Sequence, residues 1–206
     1  MNNSLYTIKN INNHQFEINK SIFIGRSFKI HSKKEANSRI KEINEEYNDA
    51  THNCWAFIQG IKKRSEKYED DGEPSGTAGK PILNVLKKNK LTNTLIVVTR
   101  YYGGIKLGGG GLIRAYSKSA QEVINKSEIK KIVKNSKYKI IVPYDAFDKL
   151  ENYISNNNIY ILKKEFEKDI YLTILIPEES TNEFLMYYKN LVRNKYQPKY
   201  IKSVYI

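Results

Sequence analysis

The last third of the chain alternates regularly between strand-like and helix-like hydrophobic patterns. Alternating apolar patterns predict β-strands over residues 136–142, 159–166 and 169–176, and residues 199–206 close the chain as a fourth predicted strand. Apolar residues recur at helical spacing in two further segments, residues 144–153 and 178–193. Asp145 is a candidate cap for the first helix. The order β-α-β-β-α-β predicts a ferredoxin-like domain over residues 134–206.

Residues 1–130 show a mixed pattern that predicts a separate front domain. Residues 15–19 and 21–30 are predicted to be paired strands, alternation predicts a strand at residues 53–61, and the apolar run 95–101 predicts a buried strand. Helical spacing predicts helices at residues 32–47, 81–89 and 112–125. A polar stretch, residues 62–79, and a glycine-rich turn, residues 103–111, interrupt this pattern. The chain is therefore expected to be an α+β protein of two domains, 1–130 and 134–206.

The composition is that of a folded chain with a sizeable core. Hydrophobic residues make up 40% of the 206 residues and aromatic residues 12%, which excludes a disordered chain. No run approaches the roughly 18 apolar residues of a membrane span, and Met1–Ser4 lacks signal-segment character. A single cysteine, Cys54, excludes an internal disulfide and any Cys-cluster metal site. We therefore expect a cytoplasmic protein without a membrane partner.

The formal net charge of +13 points to a polyanionic partner but needs discounting. Only six of the 35 basic residues are arginine, and a chain rich in Lys, Asn and Ile gains charge by compositional drift. Residues 1–133 hold 23 basic and 13 acidic residues, net +10. Residues 134–206 hold 12 and 9, net +3. The charge therefore belongs mainly to the front domain.

The first segment with unusual chemistry, Asp70–Pro81, combines three carboxylates, three glycines and small hydroxyl residues. Pro81 fits the first position of a helix, and helix N-termini attract anions. The segment resembles a phosphate-binding loop, but its glycine spacing argues against a nucleotide triphosphatase. A tight loop that caps a helix is the alternative interpretation. The candidate residues are Asp70, Asp71, Glu73, Ser75, Thr77 and Lys80.

The second segment, Val97–Tyr116, holds six of the eleven glycines and lies between a predicted buried strand and a helix. Glycine lets backbone N–H groups approach a ligand closely, and adjacent tyrosines offer a surface for stacking bases. With the flanking positive charges, these features predict an anion site. The alternative is that the glycines only permit close packing. The candidate residues are Arg100, Tyr101, Tyr102, Gly103, Gly104, Lys106, Gly108, Gly109, Gly110, Arg114 and Lys118.

The third segment, Ala50–Phe57, contains the single cysteine. Alternation places His52, Cys54 and Ala56 on one strand face. A nucleophilic Cys–His pair would need an orienting partner that the sequence does not reveal. A buried, hydrophobic Cys54 is therefore the favoured interpretation. The sequence supports no three-ligand metal site, and we expect no cofactor.

These three segments together resemble the IMPACT family, including its bacterial YigZ-type members. The matching motifs are Ala50–Ala56, Asp70–Pro81 and Thr99–Tyr116, in that order. The resemblance implies a front domain similar to the second domain of ribosomal protein S-five, joined to a ferredoxin-like domain. That pairing is also similar to the last two domains of elongation factor G, which work on the ribosome.

The resemblance also implies a link to translation, because eukaryotic relatives restrain a translation-control kinase by competing for its activator. Those relatives carry an additional partner-binding domain, so their mechanism is not expected to transfer. The leading hypothesis is a non-enzymatic binding protein that engages RNA or the ribosome through the glycine-rich loop. A translation regulator that binds only protein partners is one alternative.

A second alternative is an enzyme or sensor for a small phosphorylated molecule. In this hypothesis Asp70, Asp71 or Glu73 hold Mg²⁺ or act as a general base. The acidic loop itself favours it, because three carboxylates beside an RNA surface would repel the RNA backbone. A single site requires that the loops at residues 70–80 and 103–111 share one cleft.

Overall fold

The computed structural model describes residues 4–206, and the chain divides into two compact units. The front unit ends at Lys131 and the tail unit begins at Ile132. No helix within residues 4–206 is long and apolar enough to cross a membrane. The prediction that Met1–Ser4 lacks signal-segment character concerns a segment whose first three residues lie outside the described part of the chain.

The front unit is built on one five-stranded antiparallel sheet. The strands of the unit are β1 (Tyr6–Ile8), β2 (Asn12–Ile18), β3 (Ser21–Lys29), β4 (His52–Gln59), β5 (Ser65–Glu69), β6 (Thr94–Tyr101) and β7 (Ile129–Lys131). Its helices are α1 (Lys33–Glu46), α2 (Gly79–Lys88) and α3 (Gly108–Asn125). The sheet order is β2-β3-β6-β4-β5, while β1 pairs separately with β7.

The two faces of the front sheet carry separate hydrophobic cores. α1 covers one face, over buried Phe28, Phe57 and Val97. α2 and α3 pack together and cover the other face. β4 confirms the predicted alternation, because Cys54 and Ala56 lie in the α2–α3 core whereas Phe57 lies under α1. Since β4 and β6 are antiparallel, the start of β4 and the end of β6 meet at one end of the sheet.

The tail unit confirms the predicted ferredoxin-like fold. Its elements are β8 (Lys134–Val142), α4 (Tyr144–Asn156), β9 (Tyr160–Phe166), β10 (Ile170–Pro177), α5 (Thr181–Leu191) and β11 (Lys199–Tyr205). The antiparallel sheet has the order β11-β8-β10-β9. Both helices bury their apolar residues with alternate residues of β8 and β10, which forms the single core of this unit.

Three short or exposed strands escape the hydrophobic pattern. β5 lies inside residues 62–79, so the prediction of an uninterrupted polar stretch there is wrong. It is an edge strand with no buried residue, and alternation cannot reveal a strand that buries neither face. β1 and β7 have three residues each, too few for a period to be recognised.

Two helices begin earlier than the sequence pattern predicts. α3 begins at Gly108 rather than at residue 112, so the predicted turn is wrong over Gly108–Gly111, which form its first helical turn. α2 begins at Gly79, which puts Pro81 at the third helical position rather than the first. Neither helix has a capping side chain at its own N-cap residue, which is Ala78 in α2 and Leu107 in α3, and such a residue is the signal on which the prediction depends.

Two other helix starts test the cap predictions. Ser32, the first residue of the predicted helix 32–47, is the N-cap of α1, since its Oγ accepts from the N–H of Glu35 at 3.1 Å. The Glu35 carboxylate accepts from the N–H of His31 at 2.8 Å, one residue before the cap. Asp145 lies in the first turn of α4, and Pro143 occupies the cap position. The predicted Asp145 cap is therefore wrong, although a carboxylate in this turn suits the helix dipole.

Candidate anion-binding cleft

A cleft of about 440 Å³ lies where the three unusual segments of the sequence meet. His52 at the start of β4 pairs in register with Arg100 near the end of β6. The loop before α2 and the start of α3 close the remaining sides. The lining residues are Thr51, His52, Glu73, Pro74, Arg100, Tyr102, Lys106, Leu107, Gly108, Gly109 and Leu112. The acidic and glycine-rich loops therefore share one cleft.

A buried ion pair between Glu73 and Arg100 forms the floor of this cleft. Oε1 of Glu73 lies 2.6 Å from Nη1 of Arg100, and the two side chains are only 3% and 5% exposed. The hydroxyl of Tyr116, on α3, donates to the same oxygen at 2.8 Å. Arg100 also donates from Nη2 to Oγ of Ser21 at 3.3 Å. Groups on β6 and α3 thus compensate the negative charge of Glu73.

Cys54 lies behind this floor and is fully buried. Its Sγ is 3.0 Å from the carbonyl oxygen of Asp70 and 3.3 Å from the hydroxyl of Tyr116. Burial raises the pKa of the Cys54 thiol well above its usual range, and burial also raises the pKa of Tyr116. Because only the thiolate is a nucleophile, a protonated Cys54 packs as a small hydrophobic residue, as predicted.

The Asp70 and Asp71 carboxylates hold the acidic loop itself together. Asp70 accepts hydrogen bonds from the N–H groups of Gly76, Ala78 and Gly79 at 2.7, 3.1 and 2.8 Å. Asp71 accepts from the N–H of Asn53 at 2.6 Å. Asp70 therefore supplies the anion at the N-terminus of α2. Within residues 4–206 there is no group of three or more His, Cys, Asp or Glu placed to hold a metal ion.

Removal of the Asp70 carboxylate is expected to destabilise the front unit. In Asp70→Ala three backbone N–H groups lose their acceptor, so the free energy of unfolding should fall by about 1–2 kcal/mol. Urea denaturation followed by circular dichroism measures the change. Ser75→Ala, which alters an exposed side chain of the same loop, is the matched control with unchanged stability. Equal stability of Asp70→Ala and the parent protein would contradict the capping role.

The N-terminus of α3 lies at the cleft without a side-chain cap. The residue at its cap position is Leu107, and Leu107, Gly108 and Gly109 line the cleft. The first N–H groups of a helix have no partner within it and carry positive partial charge. Lys106, exposed on the lining, adds a full charge. Nε of buried Arg100 also lacks a hydrogen-bond partner among the residues that the structure describes.

Only some of the anion-site residues predicted in the glycine-rich segment line the cleft. Tyr102 lines it and is 44% exposed, with the Arg100 guanidinium 5.3 Å from the centre of its ring. Tyr101, the last residue of β6, lies outside the lining, and its hydroxyl donates to Asp49 at 2.8 Å. The adjacent tyrosines therefore do not form one paired stacking surface in the cleft, because only Tyr102, which follows the strand, lines it. Gly103 packs against the backbone before β3 instead.

The remaining predicted residues lie outside the cleft lining. Gly104, Gly110, Arg114 and Ser75 are exposed, while Thr77 is buried and donates to the carbonyl oxygen of Pro74. Nζ of Lys118 lies 4.7 Å from the centre of the Phe16 ring. Lys80 lines a different groove between α2 and α3. Of the predicted anion-site residues, those that line the cleft are Arg100, Tyr102, Lys106, Gly108 and Gly109.

Two residues that shape the cleft were absent from the predicted site. Nδ1 of His52 lies 2.7 Å from the carbonyl oxygen of Asp71, and because a carbonyl only accepts, Nδ1 donates. Its Nε2 lies 3.9 Å from Oε1 of Glu73. Tyr116 contributes the second donor to that carboxylate. Both residues belong to the matched motifs, but only the strand register and the helix packing show that they converge.

The fold and the cleft define a class of two-unit α+β proteins in which an uncapped helix N-terminus faces a charge-compensated floor. A protein-family model described as the Impact N-terminal domain matches residues 19–124, which include every residue that lines the cleft. A model described as a domain of unknown function (DUF1949) matches residues 140–185 of the tail. The chain belongs to the IMPACT family, as the resemblance of its motifs predicted.

Relatives and a solved structure match nearly the full chain. The IMPACT family member YvyE of Bacillus subtilis is 37% identical over 200 residues, covering 95% of this chain and 90% of that protein. The IMPACT family member YigZ of Escherichia coli is 30% identical and covers 82% and 83%. A crystal structure of a hypothetical protein superposes with a TM-score of 0.65 at 27% identity, over 97% and 98% of the chains.

Proposed function

We propose that this protein is a non-enzymatic binding protein linked to translation regulation, which holds the phosphate backbone of RNA, free or ribosomal, in the front cleft. The carrying observation is the uncapped N-terminus of α3 beside a carboxylate that is already neutralised. The link to translation rests on what the resemblance to the IMPACT family implies. The proposal treats the cleft as a binding site rather than a reaction centre.

The charge balance of the cleft supports an anionic ligand. Each carboxylate of the acidic loop is engaged by the protein: Asp70 and Asp71 by backbone N–H groups, and Glu73 by Arg100. The expected repulsion between this loop and RNA is therefore compensated. Lys106 and the helix N-terminus then set the sign of the local potential, and both favour phosphate.

Tyr102 supplies a feature that suits a nucleotide better than a bare phosphate. Its ring is 44% exposed at the cleft, and Arg100 lies against it. An exposed ring beside a phosphate site can stack on an unpaired base, which contributes about 1–3 kcal/mol per base. This arrangement favours a single-stranded region as the ligand.

The same contacts disfavour the Mg²⁺-dependent enzyme. A metal bound by the acidic loop would compete with the N–H donors of Asp70 and Asp71 and would lie beside the guanidinium of Arg100, whose positive charge repels it. Cys54 is buried and held in its protonated state by burial, which raises its pKa. None of these groups is poised for acid–base or nucleophilic chemistry.

A binding titration with fluorescent single-stranded RNA tests the proposal. The double variant Lys106→Ala/Tyr102→Ala should raise the Kd at least tenfold, since it removes one phosphate contact and one stacking surface. The slope of log K against log salt should also fall in magnitude by about 0.7, the value for one phosphate on a single strand. Fluorescence anisotropy over a salt series measures both quantities.

The matched control is Lys34→Ala/Tyr68→Ala. Tyr68 is 44% exposed, as Tyr102 is, and Lys34 is an exposed lysine on α1. Neither side chain lines the cleft. Equal affinities of the cleft and control variants would overturn the proposal. So would a complex with translation proteins that survives ribonuclease unchanged, because that result assigns the protein to partners other than RNA.

A further inference from the structure

The tail sheet has one face that neither helix of its unit covers. Along β10, the residues Ile170, Leu172, Ile174 and Ile176 belong to the core beneath α4 and α5. The alternate residues Tyr171, Thr173 and Leu175 are not part of that core, so they lie on the opposite side. We call this opposite side the open face. Strand register extends it across all four strands.

The open face collects positive charge. Register and alternation place five lysines on it, of which four are exposed and one is half-buried: Lys137, Lys139, Lys163, Lys199 and Lys202. One strand residue of this face is acidic, Glu165. Lys163 donates to Glu165 at 2.7 Å and, with Lys139, holds the pKa of that carboxyl below its usual range.

This charge is segregated rather than spread by composition. Five lysines and one glutamate give the open face a net charge of +4, although residues 134–206 as a whole carry only +3. The rest of the tail is therefore slightly acidic. α4 alone contains Asp145, Asp148 and Glu151 against Lys149. Five of the eleven lysines of the tail lie on the open face, whereas eight of its nine acidic residues lie outside the strands, so the segregation comes from the carboxylates.

Two tyrosines stand among these lysines. Tyr171 is 38% exposed and pairs in register with Ile141 and Glu165. Tyr160 is 50% exposed and pairs with Leu175, four residues further along β10. At about 3.3 Å per strand residue, the two rings are about 13 Å apart. The lysines of one strand lie about 7 Å apart at alternate positions.

We propose that the open face is a second RNA-binding surface, which takes single-stranded RNA. Lysines neutralise successive phosphates, and the tyrosines stack on unpaired bases, the mode by which four-stranded sheets bind RNA. The exposed tyrosine rings favour RNA over an acidic protein as the occupant. Unpaired bases can stack on these rings, whereas an acidic protein surface would require only the lysines. This surface is independent of the front cleft and does not rest on the function proposed for it.

The test compares full-length variants by fluorescence anisotropy with single-stranded RNA across a salt series. Lys139→Ala/Lys199→Ala/Lys202→Ala should weaken binding at least tenfold and lower the magnitude of the salt slope by about 2, from three lost phosphate contacts. Tyr171→Ala should weaken binding about tenfold, whereas Tyr171→Phe keeps the ring and the affinity. Urea denaturation confirms that the variants remain folded.

The matched control removes the same charge from the helix side of the tail, in Lys149→Ala/Lys189→Ala/Lys195→Ala. Equal salt slopes for the two triple variants would overturn the inference. Loss of affinity in the cleft variant alone would also overturn this inference, but it would support the RNA site proposed for the front cleft. Loss in the open-face variants alone supports the second surface and rejects the cleft. The inference would also be overturned if polyglutamate bound with the same affinity as RNA and if Tyr171→Ala left that affinity unchanged.

Discussion

Glu73→Ala is expected to lower the free energy of unfolding by about 3–5 kcal/mol. Arg100 cannot be left neutral, and removal of its partner strands a guanidinium that is only 5% exposed. The variant also removes the acceptor of the Tyr116 hydroxyl. Urea denaturation followed by circular dichroism measures the loss. The upper end of this range equals the whole stability of a marginally stable domain, about 5 kcal/mol.

A solvent-exposed pair of similar geometry is the control. Arg39 and Glu42 approach to 2.7 Å on α1 with side chains 38% and 52% exposed, so Glu42→Ala should change stability by no more than about 0.5 kcal/mol. The double variant Glu73→Leu/Arg100→Met, which removes both charges, should recover much of the loss. If Glu73→Ala and Glu42→Ala destabilise equally, the buried pair does not hold the cleft together.

Gly103→Ala is expected to be the second most damaging substitution, at about 3 kcal/mol. A Cβ at this position would overlap the backbone of Lys20 and Ser21, which cannot move aside as a flexible side chain can. The N–H of Gly103 also donates to Oγ of Ser21 at 3.2 Å, the same oxygen that Arg100 contacts. Displacement of this strand end therefore reaches the cleft floor. The midpoint of thermal unfolding reports the effect.

Gly109→Ala, in the same segment, is the counterpart with the opposite sign. Its added Cβ would meet only a methyl carbon of Thr77, at 3.9 Å, and the residue already has helical geometry in α3. Alanine is favoured over glycine in a helix by about 0.5–1 kcal/mol, so stability should rise. If both alanine variants changed stability in the same direction, the loss in Gly103→Ala could not be assigned to the close approach of the Gly103 backbone to Lys20 and Ser21.

Hydrophobic period predicted those elements whose alternate residues lie in different environments. β10 alternates between the tail core and the open face, and β4 alternates between the two cores of the front sheet. β5 buries neither face, and its sequence therefore shows no hydrophobic alternation that would indicate its pairing with β4. The start of α3 was missed because glycine has poor helix propensity, and this first turn is stabilised by the rest of the helix.

The candidate site was predicted as a set of segments but not as an arrangement. The motifs indicated which loops matter, and the shared cleft is consistent with that hypothesis. Arg100 was expected to meet the ligand directly, yet it is buried against Glu73. A sequence signal for this existed: Arg100 lies within the run Leu95–Tyr101, which predicts a buried strand. A charged residue in such a strand requires a buried partner.

Net charge by domain was a poor guide to charge by surface. The +3 of residues 134–206 assigned most of the positive charge to the front domain. Sheet register shows that one side of the tail sheet nevertheless holds five lysines and a single glutamate, a property that depends on the parity of each position and on which face the helices cover. Neither can be read from a sum over the sequence.

The burial of Cys54 has a kinetic consequence. It is the single cysteine of the chain, its side chain is 0% exposed, and it contacts Tyr116 and the backbone of Asp70. A thiol reagent can reach it only after α3 and the acidic loop separate, so the modification rate measures how often the cleft floor opens. A ligand that joins these two elements slows that rate as it fills the cleft. The chain thus carries an intrinsic probe of occupancy that requires no label and no knowledge of the ligand.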